Sequence, residues 1–154
     1  MWRLSGIERD VYLYSTPKQY IADYKVTSIL EKNTYKDGVF ELDVTVEGAA
    51  AGIATIAYEL QNEAGKTVLN GSQPVKSRGL SNLITFDEKR IPDVEKWSAE
   101  HPNLYTLILE LKDANGKVTE VTGTKVGFRT SEIKDGRFCI NVYRFGCSAL
   151  HFST

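Results

Sequence analysis

The feature that most constrains the fold of this chain is an alternation of apolar and polar residues in several short stretches. From Phe40 to Glu47 every second residue is apolar, and Ala54 to Leu60 and Tyr105 to Leu111 repeat the pattern. Successive side chains of a β-strand point to opposite faces, so this period of two predicts strands with one face on a core and one in water. No stretch of the sequence sustains the period of an amphipathic helix.

Turn signals separate the alternating stretches. Asp-Gly and Asn-Gly pairs supply the positive φ angles that tight hairpins require. Together with a β-rich stretch from Tyr20 to Leu30, the alternation gives about seven short strands, which predict an all-β antiparallel sandwich. The predicted turns are Lys36–Gly38, Glu47–Gly48, Asn62–Gly65, Asn70–Gly71 and Asp113–Gly116.

Two stretches are less regular. The last strand, Lys117 to Phe128, is expected to carry a bulge at Gly123. Pro92 to Glu100 is the best helical candidate, but we expect one turn at most. The reason is that Pro92 begins the stretch and Pro102 follows it closely, and a proline disfavours the α region for the residue before it.

Composition and charge argue against several function classes. The 154 residues carry 19 Lys and Arg against 20 Asp and Glu, for a formal net charge of −1. These basic residues are interleaved with acidic ones, whereas nucleic-acid binding requires a concentrated basic face. The length suits one domain with its own core, and no apolar run suggests a membrane span. We therefore expect neither nucleic acid nor a membrane as a partner.

The candidate metal ligands and bases are few. Cys139 and Cys147 do not have the spacing of a zinc site, so two free thiols are expected, with no metal and no cofactor. His101 is a candidate general base, but the only other histidine is His151, and a triad also needs a third group to orient the base. A catalytic role for His101 is therefore not expected.

Three motifs, taken together, carry a family resemblance. The first is Gly6 to Tyr14, the second is Trp97 to Tyr105, and the third is Val126 to Arg129 followed by Phe138 to Asn141. In this order and spacing they resemble a segment of glycoside hydrolase family 2, the β-galactosidases and their relatives. That segment lies between the sugar-binding jelly roll and the catalytic barrel. The resemblance implies an immunoglobulin-like antiparallel β-sandwich.

The resemblance also implies a division of the chain. Residues 1–17, with a strand at Val11 to Tyr14, would be the end of the preceding jelly roll. Residues 18–131 would form the sandwich, and residues 132–141 would begin the link to the barrel. Residues 142–154 match nothing in the family and are expected to be a cloning or reading-frame scar.

The same resemblance implies where the chemistry lies. Retaining glycosidases use two carboxyl groups about 5–5.5 Å apart, one as acid/base and one as nucleophile. The family places both glutamates in the barrel, so this chain is expected to be a non-catalytic spacer between the sugar-binding and catalytic domains. The parent enzyme is expected to hydrolyse terminal β-D-galactosides with retention, in the cytoplasm or the periplasm. In some relatives a loop of this domain reaches toward an active site; the matching stretch, Leu69 to Gly79, is expected to be a surface loop.

Structural roles are expected for the residues within the motifs. His101 and Pro102 would turn the chain into the next strand, which Tyr105 enters in the position of a tyrosine corner, with its hydroxyl bonded to an upstream backbone group. Trp97 would pack under the loop or against a neighbouring domain. Arg9 and Arg129 would each hold carbonyl or carboxylate groups of two domains together through guanidinium hydrogen bonds. The full set is Arg9, Trp97, His101, Pro102, Tyr105, Phe128 and Arg129.

Two alternative functions stay open. A carbohydrate-binding module would present Trp97, Trp2 or several tyrosines as an exposed platform. An adhesion or receptor-type immunoglobulin domain is disfavoured, because no two cysteines lie far apart in the chain with a tryptophan between them. The expected partners are the neighbouring domains of the parent enzyme and, through the strand Val11 to Tyr14, a second copy of the chain.

Overall fold

The computed structural model describes residues 6–7, 9–48, 53–76, 79–141 and 143–144. Within these residues every regular element is a β-strand. The strands are β1 Gln19–Leu30, β2 Gly38–Gly48, β3 Ala54–Gln61, β4 Thr67–Val75, β5 Ser81–Ile91, β6 Tyr105–Lys112, β7 Val118–Val126, β8 Ser131–Lys134, β9 Arg137–Ile140 and β10 Tyr143–Arg144. No helix in this part of the chain is long and apolar enough to cross a membrane.

The first seven strands form a sandwich of two antiparallel sheets. One sheet has the order β1-β2-β5 and the other has the order β4-β3-β6-β7. The predicted all-β, immunoglobulin-like sandwich of about seven strands is thereby confirmed. The fourth strand pairs with the third, whereas in a constant-type immunoglobulin domain it lies in the sheet of the first, second and fifth.

The core lies between the two sheets, where the alternating residues predicted from the sequence are buried. Leu42, Val44 and Val46 of β2 face inward from one sheet, and Leu107 and Leu109 of β6 face inward from the other. These five side chains are all essentially inaccessible to water. Burial of apolar surface on this scale contributes about 25 cal/mol per Å² and is the main force that holds the sheets together.

Aromatic rings fill the centre of this core. Tyr58 of β3 meets Phe86 of β5 edge to face, with ring centroids 4.9 Å apart. The same ring lies 5.6 Å from Phe40 of β2, so it contacts two strands of the opposite sheet. Edge-to-face pairs contribute about 0.5–1.5 kcal/mol of stability beyond the contribution of the apolar area that they bury.

The bulge predicted at Gly123 is wrong. Gly123 pairs with Ile108 within a regular ladder, and the register of this strand pair shifts instead between Leu111 and Lys112. The shift lies beside the hairpin turn, in which Gly116 has a φ of 81°. The irregular register therefore belongs to the turn geometry, and a glycine inside a strand was not a sufficient signal for a bulge.

The surface loop predicted at Leu69 to Gly79 is also wrong, as is the turn at Asn70–Gly71. Most of this stretch lies in β4, which runs along β3 at the edge of the four-stranded sheet. Gly71 is opposite Tyr58, and a Cβ atom at Gly71 would lie 2.6 Å from the Tyr58 ring. The glycine makes space for the ring and does not form a turn. Residues 77 and 78 lie outside the described part of the chain.

The strand predicted at Val11 to Tyr14 does not form. Residues 10–17 belong to no sheet, and the side chains of Val11, Tyr12, Leu13 and Tyr14 are 77–100% exposed. A β-strand needs a neighbour for its backbone N–H and C=O groups, and this segment has no paired neighbour among the described residues.

The stretch from Pro92 to Glu100 forms no helical turn. It begins with a turn and continues in extended conformation, where Lys96 bridges to Phe128 and Trp97 bridges to Pro102. Backbone pairing with Phe128 competes with local helical hydrogen bonds, and the two prolines favour the extended form.

The chain beyond the sandwich folds into a small sheet of its own. Its order is β10-β9-β8, and β8 and β9 are joined by a tight turn in which Asp135 and Gly136 have positive φ. Cys139 in this sheet is a free, buried thiol. The expected scar at 142–154, with Cys147 and His151, lies outside the described residues except for 143–144, which form β10.

Candidate interdomain surface

The connection from β5 to β6 folds across the end of β7 and forms a corner of the molecule. The Trp97 N–H donates to the Phe128 carbonyl at 3.0 Å, and Lys96 bridges the same residue. The Asn103 side chain donates to the Lys96 carbonyl at 3.1 Å. This bond fixes the position of the chain just before it enters β6. Two of the motifs found in the sequence therefore meet at this corner.

Tyr105 packs against the corner from the core side, where it is buried. Its hydroxyl accepts a hydrogen bond from the Glu95 N–H at 3.1 Å, ten residues upstream. Its ring meets Phe128 edge to face, with centroids 5.2 Å apart and an interplanar angle of 85°. Burial raises the pKa of this hydroxyl above its ordinary value.

A tight turn precedes Tyr105. The Ser98 N–H donates to the His101 carbonyl at 2.9 Å, and the His101 N–H donates to the Ser98 hydroxyl at 3.0 Å. The bridge from Trp97 to Pro102 lies across the same turn. Both backbone polar groups of His101 are thus used in the turn, and its side chain is exposed.

Arg129 and Trp97 form a stacked pair on the outside of the corner. The guanidinium lies 4.7 Å from the centre of the half-buried Trp97 ring, within the range of a cation–π contact. A Cβ atom at Gly127 would lie 3.0 Å from the Cβ of Trp97, so the glycine allows the indole to lie close to the backbone. One face of Trp97, which the alternative carbohydrate-binding module would present to a sugar, therefore carries the arginine.

Asn141 ties the small sheet to this corner. Its side-chain amide donates to the Trp97 carbonyl at 2.8 Å, and its side-chain oxygen accepts from the Thr130 N–H at 3.0 Å. The residue is buried and has a φ of 51°, a conformation that asparagine tolerates better than most residues. Sequence reasoning assigned Asn141 no role, although its place at the end of a motif was a signal.

The corner brings together six of the seven residues assigned to structural motifs, all except Arg9. Arg9 lies in the exposed segment before β1 and makes no described contact with the corner. Glu41, Asp43 and Glu47 lie on the outer face of β2, where Glu47 accepts a hydrogen bond from the Tyr20 hydroxyl at 2.9 Å. In the described ranges no three His, Cys, Asp or Glu side chains come together as metal ligands.

The sequence matches a family model over the whole sandwich. Residues 19–129 match the model of the glycosyl hydrolases family 2. This range runs from the first residue of β1 to Arg129, so it includes the whole sandwich and the corner described above.

Curated relatives match the chain over a still longer range. The β-galactosidase of Priestia megaterium (strain DSM 319 / IMG 1521) is 42% identical over 149 residues, which cover 91% of this chain and 14% of that protein. The β-galactosidase of Lactobacillus delbrueckii subsp. bulgaricus is 35% identical over 143 residues, which cover 93% of this chain and 13% of that protein. The chain thus spans about one seventh of these relatives' length.

Solved structures share the fold at lower identity. The β-glucuronidase of Parabacteroides merdae superposes with a TM-score of 0.69 at 22% identity, over 83% of this chain and 16% of that one. A glycosyl hydrolase family 2 member from Bacteroides cellulosilyticus DSM 14838 gives a TM-score of 0.73 at 15% identity, over 84% and 18%. From the family match and the identity to its relatives, the chain belongs to glycosyl hydrolase family 2.

Proposed function

We propose that this chain, a domain of a glycoside hydrolase, is non-catalytic and spaces the sugar-binding domain from the catalytic domain of a β-galactosidase-type enzyme. The parent would hydrolyse terminal β-D-galactosides with retention, as a chain of about seven times this length. The galactoside assignment is supported by the names of the relatives, which are β-galactosidases.

The observation that carries this proposal is that the motif residues make structural contacts within the corner. Tyr105 binds a backbone N–H, Trp97 is fixed through both its backbone N–H and its carbonyl, and Phe128 is fully buried. The side chains and backbone groups of these residues hold a corner of the sandwich together. A spacer needs a rigid corner of this kind, because a neighbouring domain can be held at a fixed angle only by a surface that does not deform.

The segment before β1 supports a connection to a preceding domain. Val11 to Tyr14 are four large apolar residues in sequence, and both faces of the segment are exposed. Strands buried on both faces read as continuous apolar runs, and a pairing partner outside this chain would satisfy the backbone as well. We assign residues 1–17 to the preceding domain, 18–131 to the sandwich and 132–141 to the start of the link to the catalytic domain.

In the isolated chain the same segment is expected to pair with a second copy. Two molecules that each add a Val11–Tyr14 strand to the other would satisfy both unpaired backbones, and the small area involved predicts a weak, concentration-dependent dimer. Light scattering at increasing protein concentration measures it, and deletion of residues 1–17 is expected to abolish the dimer. A strict monomer at every concentration would contradict this expectation.

The purified chain is expected not to hydrolyse nitrophenyl β-galactoside. The family's two-carboxylate chemistry would be supplied by the catalytic domain, and the acidic residues of β2 lie on an outer strand face. The measurement is nitrophenolate release, compared with a mock preparation purified in the same way from cells that do not express the chain. Turnover that follows the polypeptide through purification, and is missing from the mock preparation, would overturn the non-catalytic role.

A further inference from the structure

A groove with a volume of about 590 Å³ lies beside β1 at the motif corner. Its lining is mixed: the apolar residues are Val26, Ile29, Trp97 and Leu104, and the polar ones include Thr27, Ser28 and Ser131. Of the described residues that line it, Arg129 alone carries a charge. The volume lies within the range of about 300–1,000 Å³ that is typical of binding pockets in proteins.

Arg129 lines this groove and stacks on one of its walls. Its guanidinium stacks on Trp97, and the described part of the chain contains no ion pair and no hydrogen bond to its donors. Arg90, by contrast, lies 3.8 Å from the Glu88 carboxylate. An exposed arginine without an ion pair is ordinary by itself; Arg129 is distinguished by its stack on Trp97 and by its place in a groove with no other charged residue among those described. A stacked guanidinium keeps its N–H donors available at the edge of its plane.

The support beneath the stack is fixed before anything binds. Asn141 and Phe128 hold the backbone of Trp97 from two sides. The Ser28 hydroxyl of β1 donates to the Gly127 carbonyl at 3.0 Å, which joins the two sides of the groove. A partner that binds a preformed surface loses less free energy in ordering it.

We propose that this groove docks an extended segment of an adjoining domain of the same longer polypeptide, and that this segment places a carboxylate on Arg129. The proposal rests on the proposed function, since it takes the chain to be one domain among several. The charge selects the partner, because a planar guanidinium and a carboxylate form two parallel hydrogen bonds. The shape agrees, because the groove lies beside the edge strand β1 and its apolar lining residues offer contacts to apolar flanking side chains.

The test is a titration of the isotope-labelled chain with two capped peptides, acetyl-Leu-Glu-Leu-amide and acetyl-Leu-Gln-Leu-amide. They differ only in the carboxylate. The readouts are the NMR signals of the Trp97 indole N–H and the Arg129 side-chain N–H. We expect saturable shifts with the Glu peptide and an affinity at least about fivefold higher than that of the Gln peptide, which corresponds to one charge-assisted pair in a partly exposed site.

Three variants separate docking of the peptide carboxylate on Arg129 from its non-specific attraction to positive charge on the surface. Arg129→Gln is expected to remove the preference for the Glu peptide, and Arg129→Lys to retain only part of it, because lysine keeps the charge and loses the planar fork. Arg137→Gln removes an exposed cation that does not line the groove, and is expected to leave the preference unchanged.

Equal affinity for the two peptides, a preference that survives Arg129→Gln, or no saturable shift with the Glu peptide would each overturn the proposal. These outcomes are independent of the hydrolysis assay. A failed titration leaves the non-catalytic role standing, and turnover by the chain would overturn that role without changing the peptide result.

Discussion

Alanine in place of Phe128 is expected to lower the free energy of unfolding by about 3–5 kcal/mol. The side chain is 0% exposed and packs edge to face on Tyr105. A Cβ atom at Gly38 would lie 2.9 Å from the Phe128 ring, so backbone as well as side chains closes around it. Removal of the ring leaves a cavity at the corner, where the surrounding backbone hydrogen bonds limit collapse.

Urea unfolding followed by tryptophan fluorescence measures this loss. Tyr12→Ala is the control, because Tyr12 is also aromatic but is 80% exposed, and it is expected to change stability by less than about 0.5 kcal/mol. If the alanine variant does not fold, Phe128→Leu is expected to show a smaller loss of about 1–1.5 kcal/mol from its reduced volume. Equal effects at Phe128 and Tyr12 would contradict the packing of the corner.

Leu109→Ala is expected to destabilise the chain by about 2–5 kcal/mol. Leu109 lies in β6, a central strand of the four-stranded sheet, and is 1% exposed between the two sheets. Its replacement removes buried methyl groups at the point where the two sheets meet, and the flanking strands cannot both move inward to fill the space.

A matched leucine on an outer face serves as the control for Leu109. Leu83 lies in β5 and is 68% exposed, so Leu83→Ala is expected to cost less than about 0.5 kcal/mol. Differential scanning calorimetry gives both values under the same conditions. If the Leu83 variant lost as much stability as the Leu109 variant, the assignment of inner and outer faces would be wrong.

The alternation of residues was enough to predict the fold because one face of each strand packs on the apolar core and the other face lies toward water. Phe40 to Glu47 and Tyr105 to Leu111 became β2 and β6, with the apolar residues inside. Glycines were less informative, since the same residue has several physical uses. Gly65 and Gly116 form turns with positive φ, whereas Gly71 makes space for a ring inside a strand, and the sequence around it reads like a turn.

The corner could be predicted only in part. The Tyr105 position indicated a hydroxyl bond to the upstream backbone, because the distance from the preceding turn suits a tyrosine corner. The bonds of Asn141 to Trp97 and Thr130 join residues up to 44 positions apart, and neither local periodicity nor turn chemistry contains that information. The stacking of Arg129 on Trp97 is likewise set by tertiary packing.

A domain exchange tests most directly the central claim that this chain is a structural spacer. The aligned stretch of the Priestia megaterium β-galactosidase would be replaced by the residues of this chain, to which it is 42% identical. The measured quantity is the ratio of kcat/KM for nitrophenyl β-galactoside to that for nitrophenyl β-glucuronide. We expect a ratio within about threefold of the host enzyme's, less than about 0.7 kcal/mol of transition-state discrimination. A ratio that changed by orders of magnitude in the active hybrid would show that the segment selects the substrate, and would contradict the account.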